Sequence, residues 1–180
     1  MKPGWKAFLP YGLCVVLAVS LAVLKANQVD SFELLIREML LVFGFVASVI
    51  DFRERRVPNR LIGVMLGVWV LVMVPQLFFQ TDLALFRLIS SMVGFFIGGL
   101  IFLIVYVLSK KGLGGGDVKL MAVSGLYLGL DGIMPTMLYG SILAAAVGGG
   151  MILMKKLTAK DTIPLVPFLY VGMLLTIFAR

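Results

Sequence analysis

"FRLISSMVGFFIGGLIFLIVYVL", residues 86–108, carries one charged side chain, Arg87, in its first turn. A bilayer core is about 30 Å thick, and a helix of roughly 20 apolar residues crosses it. The stretch is apolar throughout, without the period-two alternation of a membrane barrel strand, so it reads as a transmembrane helix. Further apolar runs lie near residues 8–24, 34–50, 61–79, 118–130, 135–154 and 163–179. Backbone N–H and C=O groups inside a bilayer must bond within the protein, which leaves helices or a closed barrel. Unbroken runs select helices. The expected fold is all-α, a polytopic membrane helix bundle of about seven transmembrane spans. The run at 118–130 is short for a crossing, so a tilt or a start recessed below the surface is expected there.

Composition points the same way. Of 180 residues, 61% are apolar and 14% charged, and there is no histidine. The single cysteine, Cys14, lies in the first run, so neither an intramolecular disulfide nor a Cys/His metal cluster is available. A packing role is expected for Cys14, and no metal or cofactor. The net charge of +7 reads as a topology signal, with no nucleic-acid partner expected.

With alternating spans, one side receives Lys2, Lys6, Arg53, Arg55, Arg56, Arg60, Lys110, Lys111, Lys119, Lys155, Lys156 and Lys160. The other side keeps Lys25, Arg37, Arg87 and Arg180, together with Asp30, Glu33, Asp82 and Asp131. Positively charged loops stay in the cytoplasm, so the first side and the amino terminus are assigned there. Lys2 and Lys6 ahead of an apolar run also fit a signal peptide. No small-x-small cleavage site closes that run, and a retained anchor is expected. No internal repeat or long linker divides the chain, so residues 1–180 read as one integral-membrane domain. Gly63 with Gly67, Gly94 with Gly98, Gly125 with Gly129, and Gly140, Ala144 and Gly148 recur at the spacing that lets helix backbones approach closely.

A charge inside a bilayer is costly and needs a reason. Arg37, Glu38 and Arg87 lie near the outer ends of their runs and read as snorkelling side chains or local pairs. Asp51 and Asp117 differ. Asp51 ends the second run in "SVIDFRERRVPNRL", and Asp117 begins the fifth in "GLGGGDVKL", so both lie at the cytoplasmic edge. Alone, Asp117 reads as a helix N-cap, Asp51 as a marker of the water boundary, and Asn59 after Pro58 as a helix start. Together they offer chemistry. Two neighbouring carboxylates cannot both ionise easily. A dyad sharing one proton can activate water with its ionised member and protonate a scissile carbonyl with the other. The glycines before Asp117 would let an extended substrate backbone come close.

Three patches carry a family resemblance: "GLGGGDVKL", "DFRERRVPN" and "IPLVPF" at 163–168. In this order and spacing they resemble the type IV prepilin leader peptidases, membrane aspartyl proteases of the Gly-x-Gly-Asp class. The resemblance covers residues 34–179 and leaves residues 1–33 as an extra span and loop. It implies Asp51 and Asp117 as the catalytic pair, with Gly114, Gly115, Gly116, Lys119, Pro58, Asn59, Pro164 and Pro167 as substrate-binding or loop residues. It further implies a multi-pass protein of the cytoplasmic (inner) membrane. The substrates would be type IV pilin-like (prepilin or pseudopilin) precursors, cut just before their hydrophobic helix. Arg55, Arg56, Lys110 and Lys111 would then meet anionic membrane lipids or an acidic substrate residue, or serve only topology. Long members of the family carry a segment with paired cysteines, associated with N-methylation. This sequence is similar to the short, peptidase-only forms, so no methyltransferase activity is expected. The alternatives are a polytopic transporter, which would place acids near span midpoints or in repeated halves, and a non-catalytic pilus or secretion assembly subunit. The glycines also suggest a phosphate cradle, but the Gly-Lys-[Ser/Thr] ending is missing.

Overall fold

The computed structural model describes residues 31–79, 81–109, 113–155 and 163–179, and the only regular structure in them is helical. The run at 8–24, with Cys14, lies outside the described residues. Five helices follow in order: α1 (Ser31–Glu54), α2 (Asn59–Phe79), α3 (Thr81–Leu108), α4 (Gly115–Leu153) and α5 (Val166–Ala179). α2, α3 and α4 are long and apolar enough to cross a membrane. The chain is a membrane protein. α5, with 14 residues, is shorter than a crossing requires, and α1 carries acidic and basic residues at its two ends.

Local chemistry sets the helix ends near the site. α1 stops where Arg55 enters the left-handed region (φ 51°), its N–H returning to the Asp51 carbonyl at 2.8 Å. Three residues later the Pro58 carbonyl accepts from the N–H groups of Leu61 and Ile62, opening α2 at Asn59 as expected.

α4 joins the expected runs at 118–130 and 135–154 without an intervening loop. The helical stretch is continuous apart from Gly129, which adopts φ 65° and ψ −175°. A Cβ on Gly98 of α3 would lie 2.7 Å from the Met121 carbonyl oxygen and 3.1 Å from the Ile133 side chain. A straight helix would hold those two residues about 18 Å apart, so the chain doubles back at Gly129. Past the break, Thr136, Gly140 and Gly148 meet Gly172, Leu169 and Ile163 in turn, antiparallel to α5. The reversal needs no 131–134 loop because glycine alone accepts this backbone cheaply. The first half-helix is short because it is enclosed. Every residue from 120 to 128 is buried, which explains why it is apolar on all sides.

Small residues hold this core together. A Cβ on Gly125 would sit 2.2 Å from the Gly94 carbonyl oxygen, so only glycine fits that crossing of α3 and α4. Around it Leu40, Met65, Met73, Leu120, Met121, Ile133 and Leu169 are fully buried. Gly63 and Gly67 behave differently, since a Cβ on either would meet nothing within 4 Å beyond its own helix among the described residues. That pair, expected to pack, makes no close contact there.

Candidate active site

Three chain segments converge at one end of the bundle. The last turn of α1 brings Asp51, the first turn of α4 brings Asp117, and residues 163–165 close over them ahead of α5. A cavity of about 430 Å³ lies between, lined by Asp51, Arg55, Arg56, Val57, Leu113, Gly114, Gly115, Gly116, Asp117, Ile163, Pro164 and Leu165. Both carboxyl groups belong to buried residues, Asp51 5% and Asp117 8% exposed. Asp51 is close enough to act electrostatically on Asp117.

A buried carboxylate needs donors. Asp117 Oδ2 accepts from the Gly114 N–H at 3.2 Å, and the Asp117 N–H donates to the Gly114 carbonyl at 3.1 Å. Asp117 is therefore the third helical residue reaching back, and Gly114 occupies the cap position that the sequence suggested for the aspartate. The positive end of the α4 dipole favours an anion here. Asp51 Oδ2 accepts from the Val166 N–H at 3.2 Å. Val166 opens α5, so this donor is one of the unpaired N–H groups of a helix start. Arg55 adds electrostatic attraction to Asp51.

The three glycines have different surroundings. A Cβ on Gly116 would lie 3.0 Å from Val57 Cβ and 3.2 Å from the Val57 backbone N and O, so this residue seats α4 on the α1–α2 loop. A Cβ on Gly114 would lie 3.0 Å from Asp117 Oδ2, while Gly115 faces open space.

Of the other expected site residues, Pro164 lines the cavity and four do not. Lys119 Nζ donates to Asn59 Oδ1 at 2.9 Å, tying the start of α4 to the start of α2 at the surface. Pro58 supplies the carbonyl that opens α2. Pro167 lines a neighbouring apolar groove with Phe52, Val147, Met151 and Phe168. Sequence reasoning missed Val57, Leu113, Ile163 and Leu165 in the lining, and the Val166 N–H. Their only signal was membership of the three quoted patches, Leu113 in the glycine patch and the others in the two proline patches.

A second group of charges gathers at the other end of α1. Arg37 pairs with Glu33 one turn earlier, with Glu38 not its partner in that bridge, and Arg87 stacks over the Phe32 ring at 5.2 Å. Glu33, Arg87 and Asp131 line a second cavity of about 260 Å³ there.

A family model described as "Type IV leader peptidase family" matches residues 39–149, a span that contains both aspartates. The chain belongs to the type IV leader peptidase family. Several relatives carry the name "Prepilin leader peptidase/N-methyltransferase". The protein from Bacillus subtilis (strain 168) is 26% identical over 152 residues, covering 81% of this chain and 56% of the relative. That of Escherichia coli (strain K12) is 30% identical over 173 residues, 93% of this chain and 70% of the relative. That of Stutzerimonas stutzeri is 30% identical over 136 residues, 74% and 46% respectively. The aligned part of this leader peptidase family member thus spans 46% to 70% of the length of these relatives. No solved structure matches the chain significantly.

Proposed function

We propose that this protein is a membrane aspartyl endopeptidase that removes the leader of type IV pilin-like precursors, with Asp51 and Asp117 as the reacting pair. One observation carries the reading: two buried carboxyl groups share one open cavity in a chain of this family. The ionised member takes a proton from water, whose oxygen attacks the scissile carbonyl carbon. The protonated member donates to the carbonyl oxygen, and the resulting diol collapses with protonation of the leaving amine. Val166 and Gly114 N–H groups hold the carboxylate oxygens in place through the cycle. The basic loops assign the dyad to the cytoplasmic edge of the inner membrane, where the start of a substrate's apolar helix would also lie. Arg55 and Arg56 in the lining favour an acidic group on the substrate near the cut. We assign no methyl transfer to these residues.

The test is coexpression with a pilin-like precursor, following leader loss by gel shift and the new amino terminus by mass spectrometry. Asp51→Asn and Asp117→Asn keep the side-chain shape and remove the titrating oxygen. Each is expected to lower cleavage by more than about 1000-fold while the protein still accumulates in the membrane. Appreciable cutting by either variant sinks the dyad.

A further inference from the structure

A helix that stops leaves backbone groups without intrahelical partners, which side chains of neighbouring helices can take up. α4 stops in this way at Gly129. In an unbroken helix the Leu130 N–H would donate to the Leu126 carbonyl. Here the Leu126 carbonyl accepts from the Trp69 indole N–H at 2.9 Å, and the Leu130 N–H donates to Ser90 Oγ at 3.3 Å. The two ends of one severed helical bond are each taken by a side chain of another helix, α2 for the acceptor and α3 for the donor. The Tyr127 hydroxyl adds a second tie to α2, donating to the Met65 carbonyl at 2.5 Å.

We propose that Trp69 and Ser90 are positioning residues for the reaction: they clamp the break at Gly129 and so fix the half-helix whose far end presents Asp117 to Asp51. The inference rests on the reading of those two aspartates as the reacting pair. Asp117 lies twelve residues from the break, a lever of about 18 Å. A tilt of roughly 5° along that lever displaces the carboxyl by ~1.6 Å, and misplacement by about 1 Å costs on the order of 100-fold in rate. Polar fastenings between elements are lighter at the Asp117 end, where one exposed Lys119–Asn59 hydrogen bond joins the glycine contact to Val57 and the packing of Leu120 and Met121. Packing against α3 along its length and the hydrogen bonds at the break together set the orientation of the half-helix. Neither Trp69 nor Ser90 lines the dyad cavity, so their effect reaches the reaction only through the helix.

Two measurements on the purified full chain in lipid nanodiscs test this. In leader removal from a pilin-like precursor, Trp69→Phe keeps an aromatic ring without the indole N–H, and Ser90→Ala deletes the hydroxyl. Each is expected to lower kcat by about tenfold or more with KM changed by less than about twofold, and Ser90→Thr, which keeps a hydroxyl, to recover most of the loss. The second measurement needs no activity. With Cys14→Ser as background, Val57→Cys and Gly116→Cys bring two Cβ atoms to about 3.0 Å, just under the disulfide range, so a shift of the helix start by some tenths of an ångström admits the bond. Their oxidation rate is expected to fall by about fivefold or more when Trp69→Phe or Ser90→Ala is added, because the helix start no longer dwells at that contact. Unchanged kcat in both variants, or unchanged cross-linking in both, overturns the proposal. If Trp69→Phe does not accumulate, Ser90→Ala decides by the same criteria. A wild-type chain that cleaves no precursor overturns the peptidase reading instead, while the cross-linking still decides whether the clamp positions Asp117.

Discussion

Asp117 and Asp51 share a cavity but are held in opposite ways. The Asp117 oxygen is bonded by an N–H three positions earlier in its own helix start, and the Asp51 oxygen by an N–H 115 positions later. One carboxylate is fixed as soon as its turn forms. The other is fixed only when α5 docks against α1. A site built this way is half local and half tertiary, and its two halves should fail differently under mutation.

Val166→Pro is the sharpest way to separate them. Proline is accepted at a first helical position, where its missing N–H has no intrahelical role, so α5 should still form. What disappears is the donor to Asp51 Oδ2. A hydrogen bond to a charged group contributes about 1.5–3 kcal/mol, so kcat/KM for leader removal is expected to fall by roughly 10- to 100-fold. Membrane accumulation should stay near wild type. A variant with full activity would mean that Asp51 needs no partner from α5, and the tertiary half of the comparison would collapse.

The same division explains what the sequence could reveal. Apolar runs, the Asn59 start of α2 and the Gly-Gly-Gly-Asp turn depend on neighbouring residues, and each was legible. Val166 was not, because it acts through a backbone N–H that any residue except proline would carry. Trp69 and Ser90 were hidden for a related reason: they serve Leu126 and Leu130, whose broken bond exists only because Gly129 turns the chain. Glycine spacing shows the limit most plainly. Gly94 and Gly98 press on the α4 backbone, while a Cβ on Gly63 or Gly67, at the same spacing, would meet nothing within 4 Å beyond its own helix among the described residues. Spacing indicates which side chains share a helix face, and only the fold decides what that face meets.

The glycine turn allows a finer test inside the local half. On Gly116 a methyl would press against the Val57 backbone, and the start of α4 would have to shift by tenths of an ångström. On Gly115 it would enter open space. Gly116→Ala is therefore expected to lower kcat/KM by about tenfold through displacement of Asp117, and Gly115→Ala by less than about twofold. Steady-state cleavage of a pilin-like precursor by the two purified variants checks this. The reverse order would assign the turn to substrate approach and leave seating of the helix as its lesser task.

Lys119 should give the smallest effect, although it sits two residues from Asp117 in the motif. Its ammonium donates to Asn59 Oδ1 at the surface, outside the cavity lining, where water can replace either partner. Lys119→Ala is expected to lower stability by no more than about 1 kcal/mol and to change kcat/KM by less than about twofold. Thermal unfolding and cleavage, measured on the same preparation, separate the two quantities. A tenfold activity loss at unchanged stability would show the lysine reaching substrate when substrate is bound, leaving Asn59. The working cavity would then extend past the glycine turn to the start of α2, and Asn59 would have to be counted among the residues that hold Lys119 in reserve.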